Sequence, residues 1–142
     1  MKTSLNIQNE LKAIVQLLIS LVNIDIIYLY GYYATGNATV DSDIDIAVVM
    51  SENHGVNMLL EESRLNEELN YKSRLPVHVS ILNTKTPFFN FQAISPRNVL
   101  FSKNENFRVG FEVKAFNQYF DIKRYLDENY DVAINLAKSN DR

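Results

Sequence analysis

Apolar residues recur along this chain with two periods, and the changes from one to the other mark out its elements. Ile7, Leu11, Ile14, Leu18 and Leu21 fall three and four apart, a single stripe that predicts a helix from about Ser4 to Leu21, with Ser4 or Asn6 as its cap. Ile26 to Tyr30 is an unbroken β-branched and aromatic run, which suits a buried strand ending at Gly31. Asp43 to Met50 predicts a second strand, polar on one face only at its beginning. Asn57 to Ser73, with Leu65 and Leu69 one turn apart, predicts a helix closed off by Pro76. Val77, Val79 and Ile81 alternate with polar residues in a third strand, Val77 to Leu82. Pro87 opens a short helix through Phe88, Phe91 and Ala93, and Val99 to Phe101 forms a short edge strand. Phe107, Phe111, Ala115, Ile122 and Leu126 mark a long helix from about Asn106 to Glu128, followed by a short one around Val132 to Lys138.

This order predicts an α/β (α+β) fold, a small mixed β-sheet with helices packed on it. With no repeat, low-complexity block or linker, its 142 residues are read as one domain, 1–142. The absence of cysteine excludes disulfides, thiolate chemistry and sulfur-ligated metals, and it fits a reducing cytoplasm. A formal charge of -3 gives no bulk case for gripping a nucleic-acid backbone. The apolar run Leu17 to Val22 has neither the length of a membrane span nor the cleavage site of a signal peptide, so a cytoplasmic location without membrane attachment is expected.

Candidate chemistry concentrates between Gly31 and Asp45. A glycine leaving a strand permits a tight turn, and the turn that follows can aim backbone N–H groups at a phosphate. Asp43 and Asp45 share a strand face, about 7 Å apart by strand rise, while Ile44, Ile46 and Val48 point the other way. Two carboxylates so placed can share a divalent cation such as Mg²⁺, which prefers hard oxygen ligands. The plainer alternative is the solvated beginning of a hydrophobic strand. Asp41, in the preceding turn, reads as a local cap.

Gly31-Tyr32, ten further residues, then Asp43-Ile44-Asp45 leading into a hydrophobic strand resembles the signature of the minimal nucleotidyltransferase family, a branch of the polymerase-beta-like nucleotidyltransferases. The resemblance implies the nucleotidyltransferase fold, Mg²⁺ held by Asp43 and Asp45, and ATP as co-substrate, with Gly31, Tyr32 and Gly36 shaping the nucleotide's phosphate turn. It also implies a toxin–antitoxin system, in which proteins of this kind transfer AMP from ATP to a tyrosine hydroxyl of a HEPN-type toxin. Two positions depart from the family pattern. Tyr32 replaces a serine, and its longer side chain competes for the phosphate volume. His78, in Val77-His78-Val79, replaces a third acid; an imidazole can act as general base but is a poor magnesium ligand. These departures support an alternative, a catalytically impaired relative that neutralises its toxin by forming a complex. Oligomerisation stays open.

The remaining candidates carry less chemistry. His54 reads as loop; Arg64, Lys72 and Arg74 cover a helix surface through their stems. Arg97 and Lys103 flank the edge strand, where they are able to meet a nucleotide or a partner. Phe88, Phe89, Phe91, Tyr119, Phe120 and Tyr125 read as packing residues rather than base-stacking platforms.

Overall fold

A computed structural model of the chain describes residues 2–51 and 55–140, so His54 lies outside the described residues. The elements are α1 (Lys2–Leu21), β1 (Ile24–Tyr30), α2 (Tyr32–Thr35), β2 (Ile44–Met50), α3 (Met58–Lys72), β3 (Val77–Ile81), α4 (Pro87–Ile94), β4 (Asn98–Ser102), α5 (Glu105–Glu128) and α6 (Tyr130–Asn140), with a single 3₁₀ turn at Leu82–Thr84. The strands form one mixed sheet in the order β3-β2-β1-β4. β1 runs antiparallel to both β2 and β4, whereas β2 and β3 are parallel and joined across α3. This is the expected mixed sheet with helices on it, and β4 is the expected edge strand.

Strand alternation sends two apolar sets to opposite faces. Ile27, Leu29, Ile44, Ile46, Val48 and Val79 pack under α1 and α3, against Leu11, Ile14, Leu18, Leu65 and Leu69. Ile26, Tyr28, Ala47 and Val49 pack on the other face against Ala93, Ile94 and Ala115, from α4 and α5. Tyr28 is fully buried there, and its hydroxyl donates to Glu112 at 2.9 Å. Burial, then that bond, pushes the phenol far above its ordinary range, so it stays a donor.

Several expectations need correction. α1 begins at Lys2, so Ser4 and Asn6 lie inside the helix rather than at its start. The turn before β2 is closed by Ser42, whose Oγ accepts from the Thr39 N–H at 2.8 Å, and not by Asp41. The stripe of α5 is only partly core: Ala115 is buried, yet Phe107 and Leu126 are 46% and 49% exposed because the helix outruns the sheet. Of its aromatic residues, Tyr119 and Phe120 meet Phe91 of α4, Tyr119 stacked on it at 3.7 Å, whereas Tyr125 is 65% exposed and does not pack as expected.

The outer edge of β3 is closed by side chains. Asn70 accepts from the Val77 N–H at 2.9 Å and donates to the Val77 carbonyl at 2.7 Å. Asn66 does the same at Val79, at 2.8 and 2.9 Å, and Glu62 accepts from the Ile81 N–H at 2.8 Å. Four helical residues rise about 6 Å and two strand residues about 6.6 Å, so side chains one turn apart on α3 match alternate residues of the strand. Their carboxamides imitate a fifth strand. Asn70→Ala leaves both polar groups of Val77 to find water. We expect a loss of about 1–2 kcal/mol in urea unfolding, against a change near zero for the exposed Glu67→Ala.

Candidate functional site

His78, Asp45 and Tyr30 stand side by side on β3, β2 and β1, one row across three strands. Asp43 lies just before β2, exposed, at the same end of the sheet. The residues singled out for chemistry are thereby brought together, because the parallel β2–β3 pair starts both strands at one edge while β1 arrives there antiparallel.

Gly31 completes the arrangement from the backbone. Its φ is 73°, in the region that disfavours side chains, and a β-carbon built on it would fall on Oδ2 of Asp45. Strain and space both demand glycine here: the chain bends directly over the carboxylate. The bend leads into α2, a single turn in which the Ala34 and Thr35 N–H groups donate to the Gly31 carbonyl at 3.1 and 3.2 Å. Gly36 ends that turn with φ 78°, but open space surrounds its missing β-carbon, so it serves the turn and does not abut the acids. Tyr32 opens the turn with its ring 63% exposed.

Asp45 is half-buried, and its carboxyl is held above the ordinary range. Desolvation is the main cause and the charge of Asp43 adds to it, while His78 pulls the other way. Tyr30 is likewise raised, first by burial, with Asp45 and Glu62 adding and a hydrogen bond with Ser80 opposing. That bond, between the Tyr30 hydroxyl and Ser80 Oγ at 3.2 Å, and the edge-on ring of Phe89 at 5.9 Å fix the phenol beside Asp45. Tyr30 and Ser80 escaped the sequence reading; Ser80 lies two residues from His78 on one face of β3, a spacing that could have found it, whereas Tyr30 is placed only by the pairing of β1 with β2. An open hollow of 530 Å³ runs from Asp43 and His78 along the outer side of β3 toward Glu62 and Glu67.

The donor set suits magnesium, which takes one or two carboxylates and fills its remaining positions with water and phosphate oxygens. Among the described residues no third carboxylate or histidine joins the pair in a ligand cluster. Glu62 faces the site but is committed to Lys85 at 2.9 Å and to the Ile81 amide. Of the blander candidates, Arg64 pairs with Glu61 on the surface of α3. Among the described residues no helix is long and apolar enough to cross a membrane.

The family model "Polymerase beta, Nucleotidyltransferase" matches residues 8–106, a span holding every residue of the site. No curated protein sequence matches the chain significantly. Solved structures do match in fold. A toxin–antitoxin structure with AMP-PNP aligns at TM-score 0.71 and 23% identity, covering 89% of this chain and 98% of that one. A tri-AMPylated Shewanella oneidensis HEPN toxin in complex with an MNT antitoxin aligns at 0.70 and 20%, covering 89% and 98%. A MntA–HepT toxin–antitoxin structure gives 0.70 and 20% over the same shares.

Proposed function

Since this chain belongs to the polymerase beta nucleotidyltransferase family, we propose that it is an antitoxin that transfers AMP from ATP to a tyrosine hydroxyl of a HEPN-type toxin. The observation that carries the reading is the bend of Gly31 over Asp45, with Asp43 and His78 beside it. A backbone pressed so closely on a half-buried carboxylate is costly in stability and has no use in a merely solvated strand end. The fold likeness to an AMP-PNP-bound toxin–antitoxin structure and to a complex with an AMPylated toxin supports the choice of nucleotide and partner. The cytoplasm is the location such a system implies.

Asp43 and Asp45 would hold Mg²⁺, which when bound offsets the negative charge of the triphosphate and of the departing pyrophosphate. Gly31, lacking a β-carbon, lets the Asp45 carboxylate lie against the chain where the phosphate turn begins. The Tyr32 N–H, unused by the one-turn helix, donates to a phosphate oxygen. The acceptor oxygen attacks the α-phosphorus, the bond to the β-phosphate oxygen breaks, and His78 takes the hydroxyl proton. Tyr30, held by Ser80, walls the inner side of Asp45.

A second reading rests on Tyr32 and His78, which stand where the family pattern has a serine and an acid. In that reading the protein neutralises its partner by binding alone. Intact-mass measurement of the partner toxin after incubation with this chain, ATP and Mg²⁺ separates the two. The expected result is a gain of one or more AMP units with the unaltered chain and none with Asp43→Asn/Asp45→Asn. Co-elution without mass gain would favour neutralisation by binding, and the absence of both mass gain and co-elution would overturn both readings.

A further inference from the structure

We propose that Arg97 binds the outer phosphates of the nucleotide, an inference that rests on the nucleotide-binding reading above. The register places it. Asn98 pairs with Leu29, so Arg97, one residue before β4, stands opposite Tyr30, which itself pairs with Asp45. Arg97, Tyr30, Asp45 and His78 therefore extend the row across all four strands, with Arg97 two strand spacings, about 10 Å, from Asp45. It lies on the Gly31 side, where the phosphate turn begins.

Two further observations set Arg97 apart. Its φ is 57°, and it is the sole non-glycine residue with positive φ among the described residues. The N–H of Arg97 donates to the Ile94 carbonyl at 3.0 Å, closing a turn through Ser95 and Pro96 that leaves Arg97 in a backbone region glycine adopts more readily. A structural requirement alone would be met better by glycine, so the arginine must contribute through its side chain.

The second observation is charge. The end of the sheet that collects Asp43 and Asp45 would have to hold a polyanion, and its cations are mostly committed: Lys85 to Glu62 and Arg64 to Glu61. Arg97 is exposed and forms no ion pair among the described residues. Lys103 lies at the far end of β4, where its N–H donates to the Asp25 carbonyl. Arg74, before β3, approaches from the opposite edge of the sheet, away from Gly31. A planar guanidinium at the row's end suits the paired oxygens of a pyrophosphate group.

The test is equilibrium binding of AMP-PNP and of AMP, each with Mg²⁺, to the full chain and to Arg97→Gly, Arg97→Lys and Arg74→Ala, alongside thermal melting. Arg97→Gly is expected to weaken AMP-PNP roughly 10- to 100-fold and leave AMP within about twofold. Its melting temperature should be equal to or above that of the unaltered protein, since glycine accepts the left-handed backbone. Arg97→Lys should recover part of the lost affinity, and Arg74→Ala should bind as the unaltered protein does. AMP-PNP affinity unchanged in Arg97→Gly, or an equal loss for AMP, would overturn the assignment while leaving nucleotide binding intact. An unaltered chain that binds neither nucleotide would instead overturn the nucleotidyltransferase reading and this inference with it.

Discussion

Asp45→Asn is expected to lower AMP transfer by roughly 1,000-fold while making the metal-free protein slightly more stable at neutral pH. The two effects share one cause. Asp45 is partly desolvated and faces the charge of Asp43, so in the folded chain its carboxyl holds its proton to higher pH than in the unfolded chain. Below the ordinary carboxylate range, near pH 4, both states are protonated and the group costs nothing. As pH rises from there through the raised folded value, the unfolded chain releases its proton first, and stability falls. Asparagine has the same shape and no charge to desolvate. Melting curves of the two metal-free proteins should therefore coincide near pH 3 and separate by pH 7, with Asp45→Asn melting higher. Added Mg²⁺ should narrow the gap by stabilising only the unaltered chain. Transfer retained within about tenfold would remove Asp45 from the catalytic role. A lower melting temperature at pH 7 would mean that the carboxylate is already paired in the free protein.

Gly31→Ala should strike both stability and chemistry. A methyl group at this position must adopt a backbone with φ 73° and ψ −157°, open essentially only to glycine, and must also displace the Asp45 carboxylate, and together these cost roughly 2–4 kcal/mol. Gly36 provides the internal comparison. It shares the positive φ but faces open space, so Gly36→Ala should lose only about 1–2 kcal/mol. The excess at Gly31 reports the collision together with its stricter backbone, and placing Gly31→Ala in an Asp45→Ala background should remove the share due to the collision. Equilibrium unfolding of the four variants measures this coupling directly. Equal losses at the two glycines would show that the bend of Gly31 does not press on the acid.

The elements with strong periodicity were legible from the chain. Leu11, Ile14 and Leu18 declared α1, and the alternation of Val77, Val79 and Ile81 declared β3 together with the side to which His78 points. The constellation of Gly31, Asp43, Asp45 and His78 was legible for the same reason, since strand alternation fixes faces and the glycine marks the turn. Tertiary facts were not. Nothing local indicates that β1 runs between β2 and β4, and that order is what brings Tyr30 beside Asp45 and Arg97 beside Tyr30. The exposed aspect of α5 was also hidden, because an apolar stripe does not say how far the sheet beneath it extends. Asn66 and Asn70 carry a local clue to the covered edge of β3. Asparagine disfavours helix interiors, and two of them one turn apart amid helix formers need a reason outside the helix.

The carboxamide cover on β3 also bears on how the chain finds its fold. Its bonds join residues 7, 13 and 19 apart in sequence, whereas β4 must reach Ile26 from Ser102. The entropy lost in closing a loop grows with its length, so α3 and β3 can zip together locally, rung by rung, before the distant strands meet. The half of the molecule that carries His78 then presents a finished parallel edge for β2 to join. Each rung that secures the edge strand in the folded protein is thus also a short-range step toward assembling the site.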